Sequence, residues 1–108
     1  MSWREQIEQE LAKAAVGVQE GNDGLVRVCA RRAVGLGVQH CVQRSGGKAW
    51  PSDAMNQLRM IQGEESFPLE IRQAAQRLLA KVTQQKQKSV STDPIADARV
   101  ILNHLFKL

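Results

Sequence analysis

The sequence is poor in the residues that build several common classes of site. Its 108 residues include no Tyr, two Phe, two Trp and two Cys. Two cysteines cannot form a disulfide framework, and so few aromatic side chains offer little stacking surface for nucleic-acid bases. No run of about 18 apolar residues occurs, so no membrane span is expected. The first residues, Met1–Gln6, lack the basic-then-apolar order of a signal peptide, so we expect a soluble protein of the reducing cytoplasm.

Motifs for metal and phosphate chemistry are also missing. The sequence has no C-x-x-C, no H-E-x-x-H and no glycine-rich phosphate loop, since Gly35 and Gly37 lie inside a helical pattern. Cys29 and Cys41 are about 18 Å apart along one predicted helix, so they can neither pair nor share a metal ion. We therefore expect buried thiols, no metal site and no cofactor.

The charge is mildly basic. Fifteen Lys and Arg residues against eleven Asp and Glu give a net charge of +4 and a pI of about 9.5. Arg27, Arg31 and Arg32 form one cluster that could contact nucleic-acid phosphates. The other basic residues are spread along the chain, which favours an ordinary solvated surface over a nucleic-acid interface.

The first half of the chain predicts a tight helical hairpin. Ser2 and Glu5 form a capping box, and apolar residues then recur at helical spacing until Gly21, a glycine typical of a helix end. Asn22 or Asp23 can cap the second helix. That helix, predicted over residues 24–42, is apolar almost all round and should be the central, most buried one.

Two shorter patterns follow. The third helix begins near Asp53, is short and ends at Gly63. The fourth is capped by Ser66, has Pro68 in its first turn and continues to Val82, which would make it as long as the first.

The last pattern completes a single domain over residues 1–108. Gln84–Ser91 is polar and predicts an exposed connection, after which Thr92 or Asp93 caps a fifth helix with Pro94 in its first position. Four long helices and one short helix, joined mostly by short loops, predict an all-α, up-and-down bundle.

The central helix has more apolar surface than one neighbour would cover. Gly35 and Gly37 each cost about 1 kcal/mol of helix propensity relative to Ala, so they indicate close approach by another backbone. That backbone belongs to a neighbouring helix or to a second subunit. We expect a homodimer, with an interface formed by Gly35, Gly37, Val38 and Val42.

One ionisable residue, His40, falls in the middle of the apolar arc of the second helix. Two interpretations stay open for it. The imidazole is either neutral and bonded to a backbone carbonyl or a polar group of the fourth helix inside the core, which is favoured, or it lines a pocket and does acid–base work.

Three segments together carry a family resemblance. They are the turn Glu20–Asp23, the Ala- and Arg-rich stretch Arg27–Gly35 and the C-terminal stretch Asp97–Phe106. Their order along the chain resembles that of HEPN domains, which are small all-α bundles that usually dimerise. The resemblance implies one of two functions, since many HEPN domains are ribonucleases and others are non-catalytic partners of small nucleotidyltransferases or bind nucleotides.

The ribonucleases of this family use an Arg and a His a few residues apart, which meet across the dimer interface. Arg99 and His104 have that spacing. Five positions along a helix separate two side chains by about 140° around the axis, so these residues should point to different faces.

The sequence thus favours a non-enzymatic binding protein, HEPN-like, that takes a protein partner or a nucleotide-bearing ligand. Candidate ligand-binding residues are Arg27, Arg31, Arg32 and His40. The alternatives are a degenerate, metal-independent ribonuclease using Arg99 and His104, or a basic nucleic-acid-binding module.

Overall fold

The computed structural model describes residues 2–45, 51, 53–80 and 92–106, of which 42–45 are described as backbone alone. In this part of the chain all regular secondary structure is helical, which confirms the all-α prediction. The helices are α1 (Trp3–Gln19), α2 (Asp23–Ser45), α3 (Ala54–Gly63), α4 (Leu69–Leu79) and α5 (Pro94–Phe106). The connection predicted over Gln84–Ser91 lies outside the described residues.

Most helix starts follow the predicted capping residues. Ser2 Oγ accepts the backbone N–H of Glu5 at 3.2 Å, and Asn22 Oδ1 accepts that of Leu25 at 3.1 Å. The carboxylates of Asp53 and Asp93 cap α3 and α5 in the same way. Between α1 and α2, Gly21 has a φ of +68°, the left-handed conformation expected of a glycine after a helix.

The fourth helix differs from its prediction at both ends. Pro68 occupies the N-cap position without a side-chain cap, so Ser66 is not the capping residue. The helix has 11 residues and ends at Leu79, because Ala80 is extended. Its length is therefore closer to the 10 residues of α3 than to the 17 of α1, and the expectation of four long helices is wrong.

A side chain from α2 contacts the C-terminal end of this helix. Arg31 Nε donates to the carbonyl oxygen of Leu78 at 2.7 Å. A carbonyl in the last turn of a helix lacks an intrahelical partner, and a cationic donor there is favourable. Arg31 therefore caps α4 from a distant part of the sequence.

The central position of α2 is confirmed. It packs against α1, α3 and α5, while α4 packs against α3 and α5. All five helices contribute to one core, in which the largest fully buried apolar side chains are Val34, Val38, Leu58, Ile61, Leu78 and Ile101. None of the helices in the described segments is long and apolar enough to cross a bilayer.

The two glycines of α2 approach helices of the same chain. A Cβ atom on Gly35 would lie 2.9 Å from Gln57 Oε1 of α3. One on Gly37 would lie 2.5 Å from Leu102 Cδ2 and 3.3 Å from Phe106 Cε2, both of α5. Both glycines thus contact a neighbouring helix of the same chain, but the atoms that lie closest belong to side chains, whereas close approach by another backbone was expected.

These contacts also bear on the predicted subunit interface. Gly37 is buried, and Val38 is 2% exposed within a single chain, so neither offers surface to a second copy. Gly35 is partly covered by α3. The side chain of Val42 lies outside the described residues. The interface predicted through Gly37 and Val38 is therefore corrected, because α5 and the core already cover them.

An ion pair joins the last two helices. Arg77 donates from Nη2 and Nε to the two oxygens of Asp97, at 2.8 Å and 3.1 Å. The Asp97 side chain is 12% exposed, so the bidentate geometry compensates for its loss of hydration. This hydrogen bond raises the pKa of Arg77 above its ordinary value, so the guanidinium stays charged.

Substitution of the close-contact glycine should destabilise the fold. We expect Gly37→Ala to lower the free energy of unfolding by about 1–3 kcal/mol, because the new methyl group overpacks Leu102 and Phe106. Urea unfolding followed by circular dichroism measures this change.

The matched control is Gly24→Ala on the same helix. Its Cβ would meet only Asn22 Oδ1, at 3.8 Å, so stability should hold or rise by up to about 1 kcal/mol. Equal changes in the free energy of unfolding for the two variants would contradict the close contact between Gly37 and α5.

Candidate binding groove

The three clustered arginines serve different parts of the fold. Arg27 pairs with Asp23 of its own helix at 2.7 Å, and Arg31 caps α4. Arg32 faces α1 and lies 3.8 Å from Glu10. The cluster therefore does not form one continuous basic surface.

Arg31 is also in an unusual environment for a cation. It is half-buried, and this burial, together with the neighbouring charge of Arg27, lowers its pKa below the ordinary arginine value. Because its Nε already donates to Leu78, that part of the guanidinium is not free for a phosphate. Arg31, one of the residues predicted to contact a ligand, therefore caps the C-terminal end of α4.

The predicted ribonuclease pair is separated within the chain. Arg99 Nη1 and Nη2 donate to the two carboxylate oxygens of Glu8, at 3.1 Å and 3.2 Å. His104 instead lies edge-on to the ring of Phe67, with centroids 5.6 Å apart. The two side chains contact different elements, as their helical spacing predicted.

His40 has a different setting from either of its two interpretations. Its imidazole is half-buried and stacks on the indole of Trp3, with ring centroids 4.0 Å apart. The ring of Phe106 completes the cluster, 4.4 Å from Trp3 and 5.9 Å from His40. Aromatic contacts thus hold the imidazole at the edge of the core.

This aromatic cluster borders a groove between α1 and α5, with a volume of about 250 Å³. Apolar side chains form much of the wall of the groove, and charged and amide side chains surround the groove. The lining residues are Trp3, Arg4, Ile7 and Glu8 of α1, and Arg99, Leu102, Asn103 and Phe106 of α5.

The charged residues of the groove are two arginines and one glutamate. The guanidinium of Arg4 lies 5.0 Å from the centroid of the Trp3 ring, a cation–π arrangement. Arg99 is held by Glu8, and both side chains are exposed. The rim therefore carries one excess positive charge.

The lining offers binding surface and no evident acid–base pair. None of the eight residues is a nucleophilic Ser, Thr or Cys, or a His. An apolar floor inside a polar rim is the usual anatomy of a surface that binds another molecule. The groove therefore fits recognition better than catalysis.

The thiols lie elsewhere. Cys29 is buried, and burial followed by the charge of Glu10 raises its pKa, which keeps it a neutral thiol. Cys41 is half-buried, and its Sγ donates to the carbonyl oxygen of Leu105 at 3.7 Å. No group of three or more potential metal ligands occurs among the residues described.

Sequence reasoning missed the groove, although its parts were visible. In the sequence, Trp3 and Phe106 fall on the apolar faces of the first and last predicted helices. A signal was present, since these are two of the four aromatic residues and lie near opposite ends of the chain. Their pairing depends on α1 lying beside α5, which periodicity does not predict.

Comparison of the chain with protein-family models, curated proteins and solved structures finds no match in any of the three. The resemblance to HEPN domains stays an expectation from the sequence.

A direct test addresses the ribonuclease alternative. We expect cleavage of a fluorescent single-stranded RNA, assayed without divalent metal, to be the same for the wild type and for His104→Ala. The reason is that both oxygens of Glu8 accept from Arg99, so its guanidinium is already engaged and is not free to pair with His104 of a second copy. Cleavage that is lost in both Arg99→Ala and His104→Ala would contradict this expectation.

Proposed function

We propose that the chain is a non-enzymatic binding domain, a HEPN-like helical bundle whose α1–α5 groove holds a short apolar segment of a protein partner. The observation that carries this proposal is the aromatic pair in the wall of the groove, where the ring centroids of Trp3 and Phe106 lie 4.4 Å apart. His40, which does not line the groove, stacks on Trp3 and helps to hold the indole in place. Rigid aromatic anchors of this kind dominate the energetics of protein interfaces.

The shape of the groove is compatible with a protein segment. It lies between two helices and has a volume of about 250 Å³. A groove between two helices suits one or two apolar side chains of a docking helix or peptide. The remaining length of such a segment would lie on the rim.

The charges of the rim indicate what flanks those apolar side chains. Arg4 and Arg99 outnumber Glu8, and the whole chain carries a net charge of +4. A segment with Asp or Glu beside its apolar anchors is therefore complementary. Arg99 is already paired with Glu8, so Arg4 is the cation that remains for this acidic residue.

The HEPN-like resemblance suggests what kind of protein supplies the segment, namely a small nucleotidyltransferase. A homodimer also stays a prediction, which light scattering over a concentration series tests. Any interface between two copies would have to use exposed residues such as Val28, which is 40% exposed, because Gly37 and Val38 are covered.

The groove can be tested without knowing the partner. A displayed library of random helical peptides, selected on the wild-type protein, should yield apolar anchors flanked by acidic residues. Trp3→Ala should weaken the selected peptides by about tenfold or more, as expected for an interface anchor. Arg4→Glu should weaken them by about three- to tenfold through charge reversal.

The matched control is Arg59→Glu, an equal charge change at an exposed position of α3 outside the groove. It should leave affinity unchanged, and circular dichroism checks that each variant is folded. Peptides that bind Trp3→Ala and Arg4→Glu as well as they bind the wild type would refute the proposal.

A further inference from the structure

The groove belongs to a longer seam along which α1 and α5 lie side by side. Trp3 meets Phe106, with ring centroids 4.4 Å apart, and Arg99 Nη1 donates to Glu8 at 3.1 Å. Along this seam the residue numbers rise in α1 while they fall in α5. The two helices are therefore antiparallel, and the groove lies between the first turns of α1 and the last turns of α5.

The seam extends past the residues that line the groove. Ile95, in the first turn of α5, packs against the small core cluster formed by Ala14, Val26 and Cys29. Ala14 comes six residues after Glu8, which is a rise of about 9 Å along α1. The first turn of α5 thus still lies beside the hairpin of α1 and α2 at the level of Ala14.

Small exposed side chains continue the two rows that line the groove. Ala15 comes seven positions after Glu8 in α1, and Ala96 comes seven positions before Asn103 in α5. Seven positions are close to two helical turns, so each alanine points within about 20° of its groove residue. Both alanines are exposed. Because a methyl group is short, another helix can approach this part of the seam closely.

The charges of the seam differ between its two ends. Arg4 is exposed at the groove end, and among the described residues no carboxylate pairs with it. In the middle, Glu8 and Arg99 neutralise each other. At the other end, the exposed carboxylate of Asp93 caps the start of α5. One end of the seam is therefore positive and the other is negative.

A helix is the kind of segment that this seam accommodates. An extended peptide usually gains affinity from backbone hydrogen bonds to the edge of a sheet, and the regular structure of the described residues is entirely helical. A helix bonds its own backbone groups, so it needs only side-chain contacts and a close approach. The apolar groove and the small side chains beyond it provide both.

We propose that the segment held by the groove is an amphipathic α-helix that lies along the whole α1–α5 seam. Its apolar anchors sit beside Trp3 and Phe106, its acidic end faces Arg4, and its basic end faces Asp93. From Arg4 to Ala15 the α1 axis rises about 17 Å, so the helix has at least three turns. This inference rests on the function proposed for the groove and adds the conformation, length and direction of the segment.

The experiment selects binders from a displayed library of random 16-residue peptides without imposed structure. The selected peptides should have apolar anchors three or four positions apart, acidic residues at one end and basic residues at the other. A proline in the middle of a peptide should weaken binding about tenfold or more, because it breaks a helix. Removal of the basic half should weaken binding about fivefold or more, because contacts along the seam are lost.

Nuclear magnetic resonance of the ¹⁵N-labelled chain locates the two ends of a peptide. A nitroxide label on the acidic end should broaden the amide signals of Arg4 and Asn103 most strongly. The same label on the basic end should instead broaden those of Ala15 and Ala96.

Two variants with matched controls test the far end of the seam. Asp93→Asn keeps a capping residue but removes the charge, so it should weaken the peptides about threefold or more. Asp53→Asn, the same change at the cap of α3, should not. Ala15→Tyr should weaken them about fivefold by blocking close approach. Gln9→Tyr, also exposed but about 120° away around α1, should have no effect.

The outcomes separate this inference from the function on which it rests. Peptides that depend on Trp3 but tolerate the proline and the truncation would overturn the helix along the seam and leave the binding groove intact. The same conclusion would follow if labels at either end broadened only the signals near Arg4. Peptides that bind Trp3→Ala as tightly as the wild type would refute the groove itself and this inference with it.

Discussion

The close contact of two α2 glycines with side chains of α3 and α5 is the constraint on which the packing of the core and the candidate groove depend. At Gly37 the α2 backbone contacts Leu102 and Phe106, and Phe106 lies against Trp3 beside the groove. At Gly35 the backbone packs against the side chain of Gln57, since a Cβ atom there would lie 2.9 Å from Gln57 Oε1. A methyl group at Gly37 would disturb the groove as well as the packing, so this glycine links stability to recognition.

Several arginine side chains of this basic chain form polar contacts that join one helix to another. Arg77 and Asp97 join α4 to α5, Arg31 caps α4, and Arg99 joins α5 to Glu8 of α1. A guanidinium with fixed donors suits such bridging, because it can bond to a carboxylate or carbonyl while its stem packs on apolar groups. Several arginines are thus engaged within the fold, which explains a net positive charge without a continuous basic surface.

Features that depend on residues close together in the sequence could be predicted, whereas features that depend on residues far apart in the sequence could not. Ser2 and Asp53 cap helices through backbone groups three residues away, so local patterns suffice for them. The end of α4 depends on Arg31, which is 47 residues from Leu78. The groove likewise requires α1 beside α5. Helical periodicity identifies the apolar face of each helix, but it does not predict which helices pack against each other.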